Sequence, residues 1–316
     1  MKVTLDLTDL VSRGELTKDE ADRLAKLGAQ DTGSLGVNIL MGFGTVAVAL
    51  GGGFLFPTAQ SVIVIGAILF VIGLALILNK QVKWALFAQI CVTIGALGIV
   101  GGVSYLMGGS NPDLAFPVNI AMALGLAVAA FVAGSGLLGA LAVLQFALAL
   151  GAGTAYWHGG YFTWVEEPAM TIAVLAVLSI ALTYVATRLP SVYERVALIM
   201  ARTGVLMINL AFLVGSIFGD QLISWDYTIR AEVFSVVWAI LLIGVGLWGV
   251  MSNRRWVVNA AAVFGAIHFY TQWFEYLGPN PLSVLGGGIL LIGFGFALRW
   301  FNTRFNKPPA AAPATA

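Results

Sequence analysis

The sequence has little cysteine and little histidine. Cys91 is the only cysteine and lies inside an apolar run, so the chain cannot form an internal disulfide or a cysteine-based metal site. The two histidines, His158 and His268, are too few for a histidine-rich metal cluster. We therefore expect no metal and no cofactor.

Charged residues are also scarce. They make up 10% of the 316 residues and hydrophobic residues 59%, whereas an average soluble domain is about 25% charged. A soluble fold of this length cannot hide so much apolar surface, so lipid must be the solvent for most of it. The net charge of +1 gives no indication of nucleic-acid binding, and we expect none.

Enzyme signatures are missing too. The chain has no G-x-x-x-x-G-K-[ST] loop, no H-E-x-x-H and no nucleophile elbow. An intramembrane serine protease would need a serine in a Gly-rich context and a matching histidine. Ser135 and His268 are the candidates for this pair, but the residues that flank Ser135 do not fit the protease pattern. A non-enzymatic role is favoured.

Residues 1–32 are polar where a signal peptide would need an apolar core, so we expect the first membrane helix to insert as its own signal. Thr17 and Glu20 form a capping box that predicts a helix from Lys18 to about Leu27. We predict a cytoplasmic helix-turn-helix-like module. It is either a solvated amphipathic leader or a docking element for a partner protein or the membrane face.

From Ser34 on, apolar runs of about 20 residues alternate with short breaks, and each run can cross a bilayer core of ~30 Å. We predict an all-α polytopic membrane protein whose transmembrane domain covers 33–301, followed by a disordered Pro/Ala-rich tail at 302–316. Only Gly and Ser separate the fourth span from the fifth, and whether both cross stays open. The ten predicted spans are 34–56, 60–78, 83–107, 114–133, 137–157, 169–187, 196–218, 229–250, 255–276 and 281–301.

The basic residues are distributed unevenly between the two sides of this topology. With the N-terminus inside, 14 of the 16 Lys and Arg residues fall in inside segments, and only Arg230 falls in an outside loop. This asymmetry predicts that both termini are cytoplasmic. The Trp/Tyr-rich loops at 156–168 and 219–230 are then outer loops that lie flat on the membrane or form a lid.

Two polar faces are candidates for function, because charges inside a bilayer are expensive. Arg195, Arg202, Asn209 and Ser216 recur at spacing seven on the seventh span. We expect this stripe to face other helices or a water-filled cleft. The alternative is that the long side chain of Arg202 only reaches back to the cytoplasmic interface.

The second face belongs to the hairpin at 254–301 and carries His268, Gln272 and Glu275 at i, i+4 and i+7. A histidine and a carboxylate on one helix face could relay protons or bind a cation. The alternative is a buried histidine that makes one hydrogen bond to a neighbouring helix.

Other polar and small residues in the spans have structural explanations. Gln89, Asn119 and Gln145 are interpreted as links between helices worth ~1 kcal/mol each. Many of the 38 glycines, including Gly95, Gly98, Gly101 and Gly102, permit close helix approach. The run Gly286, Gly287 and Gly288 has the same first explanation, with a flexible point as the alternative.

Two segments resemble a known family. LVSRGELTKDEADRL with LGVNILMGFGTVAVALGGGFLF near the N-terminus, and RRWVVNAAAVFGAIHFYTQWFEYLG with GGGILLIGFGFALRWF near the C-terminus, are similar to bacterial membrane proteins of the domain of unknown function 2157 family. The resemblance covers the first 60 and last 50 residues. It implies a multi-pass bacterial inner-membrane protein with no assigned chemistry, and it supplies no site residues.

Two functions fit these observations. The first is a small-solute or ion transporter that uses Arg202, Asn209, His268, Gln272 and Glu275. Ten spans in about 300 residues with both termini inside also characterise drug/metabolite-type transporters, although no inverted repeat is visible. The second is a membrane scaffold or sensor whose residues 1–32 bind a cytoplasmic protein.

Overall fold

The computed structural model describes residues 10–11, 13–79, 84–107, 112–157, 160–222, 227–278 and 280–305. His158 and residues 306–316 of the predicted disordered tail lie outside these residues. Residues 302–305 of that predicted tail are helical, so the predicted start of the tail at 302 is wrong. The described chain is helical apart from turns and two short β-hairpins. The helices are α1 Lys18–Leu55, α2 Ala59–Leu78, α3 Ala85–Met107, α4 Pro112–Ala133, α5 Gly136–Ala149, α6 Pro168–Ala186, α7 Ser191–Phe218, α8 Ala231–Met251, α9 Arg255–Leu277 and α10 Pro281–Phe305.

Within these ranges, six helices are long and apolar enough to cross a membrane: α2, α3, α4, α6, α7 and α8. Shorter apolar helical stretches are Leu40–Leu55, Gly136–Ala149 and Pro281–Phe296. Helix α9 belongs to neither group, because Asn259, His268 and Gln272 lower its hydropathy. The all-α membrane architecture is therefore supported, while the count of ten spans stays a prediction.

Helix α1 begins as the sequence predicts and ends much later. The Oε2 atom of Glu20 accepts from the Thr17 backbone N–H at 3.1 Å, and the Thr17 hydroxyl accepts from the Glu20 backbone N–H at 3.4 Å, so the capping box is confirmed. Two hydrogen bonds lower the pKa of Glu20: the one from the Thr17 hydroxyl has the larger effect, and the one from the Thr17 backbone N–H the smaller. The predicted end near Leu27 is wrong, and the helix continues to Leu55. The glycines on the way cost about 1 kcal/mol each, but no proline interrupts the backbone bonds.

The predicted fifth span is also wrong at its C-terminal end. Helix α5 ends at Ala149 instead of 157, and Gly151 then adopts a left-handed φ of 78°. Strands β1 Ala152–Trp157 and β2 Gly160–Val165 pair antiparallel. Thr, Tyr and Trp in this stretch favour strands. The aromatic residues continue the apolar run, and for that reason the predicted span extended to residue 157. The 14 residues of α5 span only ~21 Å.

The loop at 219–230, which the sequence predicts to be outer, forms a hairpin as well. Strands β3 Asp220–Leu222 and β4 Tyr227–Ile229 pair antiparallel, with Asp220 opposite Ile229. Gly219 precedes β3 with a left-handed φ of 72°. Both loops that were predicted to lie flat or form a lid therefore contain ordered backbone pairs.

The chain divides into two compact units. The first comprises Met1–Ala149 and Val177–Gly204. Within it, α2 and α3 approach closely, and a Cβ built on Gly95 would lie 2.5 Å from the Gly66 carbonyl oxygen. The predicted links are confirmed: the Gln89 amide donates to the Ala133 carbonyl at 2.9 Å, and the Gln145 amide to Asn119 Oδ1 at 2.7 Å.

The second unit comprises Leu150–Ala176 and Val205–Ala316. Its core is aromatic and consists of four buried side chains from α7, α8 and α9: Phe212, Phe234, Trp238 and Phe264. The ring of Phe234 lies over Gly215 of α7, where an added Cβ would lie 2.7 Å from the ring. The aromatic cluster therefore includes one ring that packs directly on a glycine of the neighbouring helix.

A polar site beside the aromatic core

Asn209 links α7 to α8 by its side-chain amide. Its Oδ1 accepts a 2.9 Å hydrogen bond from the Trp238 indole Nε1–H, and its Nδ2 donates to the Val205 carbonyl one turn back at 2.8 Å. The amide is thereby held in one orientation. Asn209 is half-buried, and its hydrogen bond restrains the tryptophan ring.

Trp238 is the centre of this arrangement. It is 1% exposed, and its ring stacks on Phe212 with a centroid distance of 6.2 Å and an interplanar angle of 7°. The His268 ring meets the same indole edge-on, with centroids 4.9 Å apart and planes at 63°. Two residues that the sequence analysis selected on different helices, Asn209 and His268, therefore contact one side chain.

His268 and Gln272 carry two buried polar atoms that have no hydrogen-bond partner in the described structure, His268 Nδ1 and Gln272 Nε2. The residues are one turn apart, so their side chains lie on the same face of α9. A buried polar atom left unpaired costs about 1–3 kcal/mol. Each nitrogen would be stabilised by a hydrogen bond with a water or a polar solute. We call Asn209, Trp238, His268 and Gln272 the His268 site.

The remaining predicted residues are not buried with this group. Glu275 is exposed in the last turn of α9. Arg202 is exposed and belongs to the first unit, whereas Asn209, two turns later on α7, belongs to the second. Further along the same stripe, the buried Ser216 hydroxyl donates to the Leu213 carbonyl at 2.9 Å. Only part of the α7 stripe therefore belongs to the aromatic core, and the roles of Arg202 and Glu275 stay predictions.

Trp238 and Asp220 were not predicted from the sequence. Trp238 had a signal, because a tryptophan in the interior of a span, away from the interfacial belts, needs a partner for its N–H. Asp220 is 4% exposed, and its Oδ2 accepts from the Ala169 backbone N–H at 2.7 Å in the first turn of α6. A carboxylate at a helix N-terminus is favourable, and here it attaches β3 to α6. Its other oxygen, Oδ1, is buried and unpaired.

Within the residues that the structure describes, no group of three or more His, Cys, Asp and Glu side chains is placed to hold a metal ion. The His268 site can donate hydrogen bonds from an amide and offer an imidazole nitrogen beside an aromatic ring. It holds no charged pair that would bind a bare divalent cation. Its chemistry suits a small polar solute, a water chain or a proton.

Comparison of the chain with models of known protein families, with curated proteins and with solved structures yields no match. The resemblance to the domain of unknown function 2157 family therefore stays a prediction. The structure itself supports a helical membrane protein with several apolar spans and a polar site beside an aromatic core.

Proposed function

We propose that this protein is a small-solute or ion transporter of a bacterial inner membrane and that its ligand binds at the His268 site. The observation that carries the proposal is the pair of buried, unpartnered nitrogens, His268 Nδ1 and Gln272 Nε2. Polar groups inside a membrane are expensive and mark solute or proton pathways. The amide nitrogens of Gln89 and Gln145, in contrast, donate to the Ala133 carbonyl and to Asn119 Oδ1.

The chemistry of the two nitrogens limits the ligand. The amide Nε2 of Gln272 can only donate, so the ligand offers an acceptor there. The imidazole of His268 either donates or accepts a hydrogen bond, and imidazole side chains as a class can pass protons. The edge-on contact with Trp238 restrains the imidazole ring on one side. A small solute with a hydrogen-bond acceptor, or a proton passed along a water chain, fits these constraints.

The proposed topology places the site within the membrane. With both termini cytoplasmic and α9 crossing outward from Arg254 and Arg255, His268 lies about 20 Å from the cytoplasmic start of the helix. Glu275 then marks the outer end, just under one turn beyond Gln272. A solute entering from the outside would pass Glu275 before it reaches the two nitrogens.

Ligand-dependent thermal stability of the purified protein tests the proposal. A panel of ions, amino acids, sugars and metabolites is screened against the wild-type protein, Gln272→Leu and Gln89→Leu. A ligand at a hundredfold excess over Kd stabilises the folded protein by about 2.7 kcal/mol. We expect a stabilising ligand for the wild type and for Gln89→Leu, and no stabilisation of Gln272→Leu. Equal shifts in all three proteins, or no shift with any compound, would contradict the proposal.

A scaffold or sensor is the second candidate, and the continuity of α1 favours it. Because one helix runs from Lys18 to Leu55, a protein bound to its first turns would be connected directly to the first apolar segment. Deletion of residues 1–30 should then abolish function in cells while His268→Ala is tolerated. A transporter shows the opposite pattern.

A further inference from the structure

The hairpin of α9 and α10 contains an apolar groove that does not include the His268 site. Its volume is about 940 Å³, within the range of sites that bind small organic molecules. The walls are formed by small and aromatic side chains of both helices, among them Ala262, Ala266, Phe269, Leu291, Phe294 and Gly295. Glycine and alanine leave the space open because they have little or no side chain.

The length of the groove matches one leaflet of a bilayer. On α9 the lining residues run from Asn259 to Phe269, a rise of ~15 Å at 1.5 Å per residue. The hydrocarbon core is ~30 Å thick, so half of it is ~15 Å. A groove of this length and composition fits an extended acyl chain.

Charge marks one end of the groove. Asn259 and Trp300 line the end where α9 begins and α10 approaches its own end. Arg255 precedes Asn259 by one turn, Arg299 precedes Trp300 directly, and both arginines are exposed. Guanidinium groups bind phosphate oxygens well, and basic pockets between membrane helices select anionic headgroups.

We propose that this groove binds an anionic phospholipid, with one acyl chain between α9 and α10 and the phosphate at Arg255 and Arg299. The lipid comes from the leaflet in which the arginines lie, which the distribution of Lys and Arg predicts to be cytoplasmic. The proposal is independent of transport, because none of the four residues of the His268 site lines the groove.

Native mass spectrometry of the full-length protein with phosphatidylglycerol or phosphatidylcholine of the same chain length tests the proposal. We expect the wild type to retain phosphatidylglycerol about tenfold more strongly, since each interfacial arginine contributes a few-fold. Arg255→Gln combined with Arg299→Gln removes this preference. Arg188→Gln, a basic residue of a different predicted cytoplasmic turn, keeps it.

Two glycine variants test the acyl chain separately. Gly295 and Gly293 both have no atoms within 4 Å of an added Cβ, but only Gly295 lines the groove. Gly295→Leu should therefore lower retention of both lipids about tenfold or more, while Gly293→Leu retains them as the wild type does. Gly265→Leu, a second filling of the groove, should repeat the effect, and elution as a monodisperse peak checks folding.

Equal binding of the two lipids by the wild type would overturn the headgroup assignment. Retention unchanged by both Gly295→Leu and Gly265→Leu in folded protein would overturn the groove. A dimer that disappears in Gly295→Leu would instead make a second copy of the chain the occupant and contradict the proposal.

Discussion

The two helical hairpins α2–α3 and α9–α10 are both rich in glycine and differ in what the glycines do. In the first, a Cβ on Gly95 would lie 2.5 Å from backbone atoms of Gly66 and Phe70. In the second, a Cβ on Gly288, Gly293 or Gly295 would meet nothing within 4 Å. One hairpin uses its glycines for backbone contact, and the other leaves open space beside them.

The difference lies in the facing helix. Gly95 of α3 faces Gly66 of α2, so neither backbone is held away. In α10, Gly286 and Gly287 face the rings of Tyr270 and Trp273 on α9 at 3.4 Å or more. A glycine stripe therefore brings two helices into backbone contact only when the facing residues of the partner helix are also small.

The largest effect should come from filling the α2–α3 contact. Gly95→Ala places a methyl group against backbone atoms of α2, which cannot move aside as a flexible side chain could. Overpacking of this kind costs about 1–3 kcal/mol. Denaturant unfolding of the purified protein in detergent measures the loss. A neutral Gly95→Ala would mean that the two helices are not in backbone contact.

The aromatic core of the second unit should be sensitive to one polar atom. Trp238→Phe keeps most of the ring contact but leaves Asn209 Oδ1 without its donor, at a cost of about 1–2 kcal/mol. Trp248→Phe on the same helix is the control, since Trp248 is 51% exposed. If Asn209→Leu and Trp238→Phe add without coupling in a double-mutant cycle, the hydrogen bond contributes nothing.

Two glutamine variants should differ in sign. Gln145→Leu breaks the bond to Asn119 and should destabilise by about 0.6–1 kcal/mol, the scale of interhelical hydrogen bonds in membranes. Gln272→Leu removes an amide whose Nε2 has no partner, so its stability should equal or exceed that of the wild type. Thermal unfolding without ligand compares the two, and equal losses would show that the Gln272 amide is paired.

The smallest effect should come from Gly293→Ala in α10. The added methyl group meets open space, and alanine is preferred over glycine in a helix by up to about 1 kcal/mol. We expect the melting temperature to stay the same or to rise slightly. A clear decrease would place another surface against this face of α10.

Much of the helical framework could be predicted, because each long apolar run predicts a helix. Thr17 and Glu20 predict the start of α1. The end of α5 could not be, since apolar aromatic residues look alike in a helix and in a strand. Hydropathy alone gives no turn within 137–157. Only Gly151, with its left-handed φ, marks the change.

The polar site was predictable in part. His268, Gln272 and Asn209 were selected because polarity within a span is rare. Their relation through Trp238 depends on how α7, α8 and α9 rotate against one another, and one sequence does not contain that information. Asp220 was hidden in a loop, where a carboxylate normally faces water.

Water access to His268 tests the central claim most directly. The single native cysteine allows a Cys91→Ala background in which His268→Cys and Ile267→Cys are made separately. The two positions have the same depth on α9, but Ile267 is 37% exposed on the outside of the helix and carries no polar function. A water-soluble, thiolate-specific thiosulfonate is applied to protein in lipid bilayers, and the rates of modification are compared. A solute pathway predicts that position 268 reacts at least tenfold faster than position 267, because a thiol ionises only where water reaches it. Equally slow reaction at both positions would contradict the account and leave His268 a structural partner of Trp238.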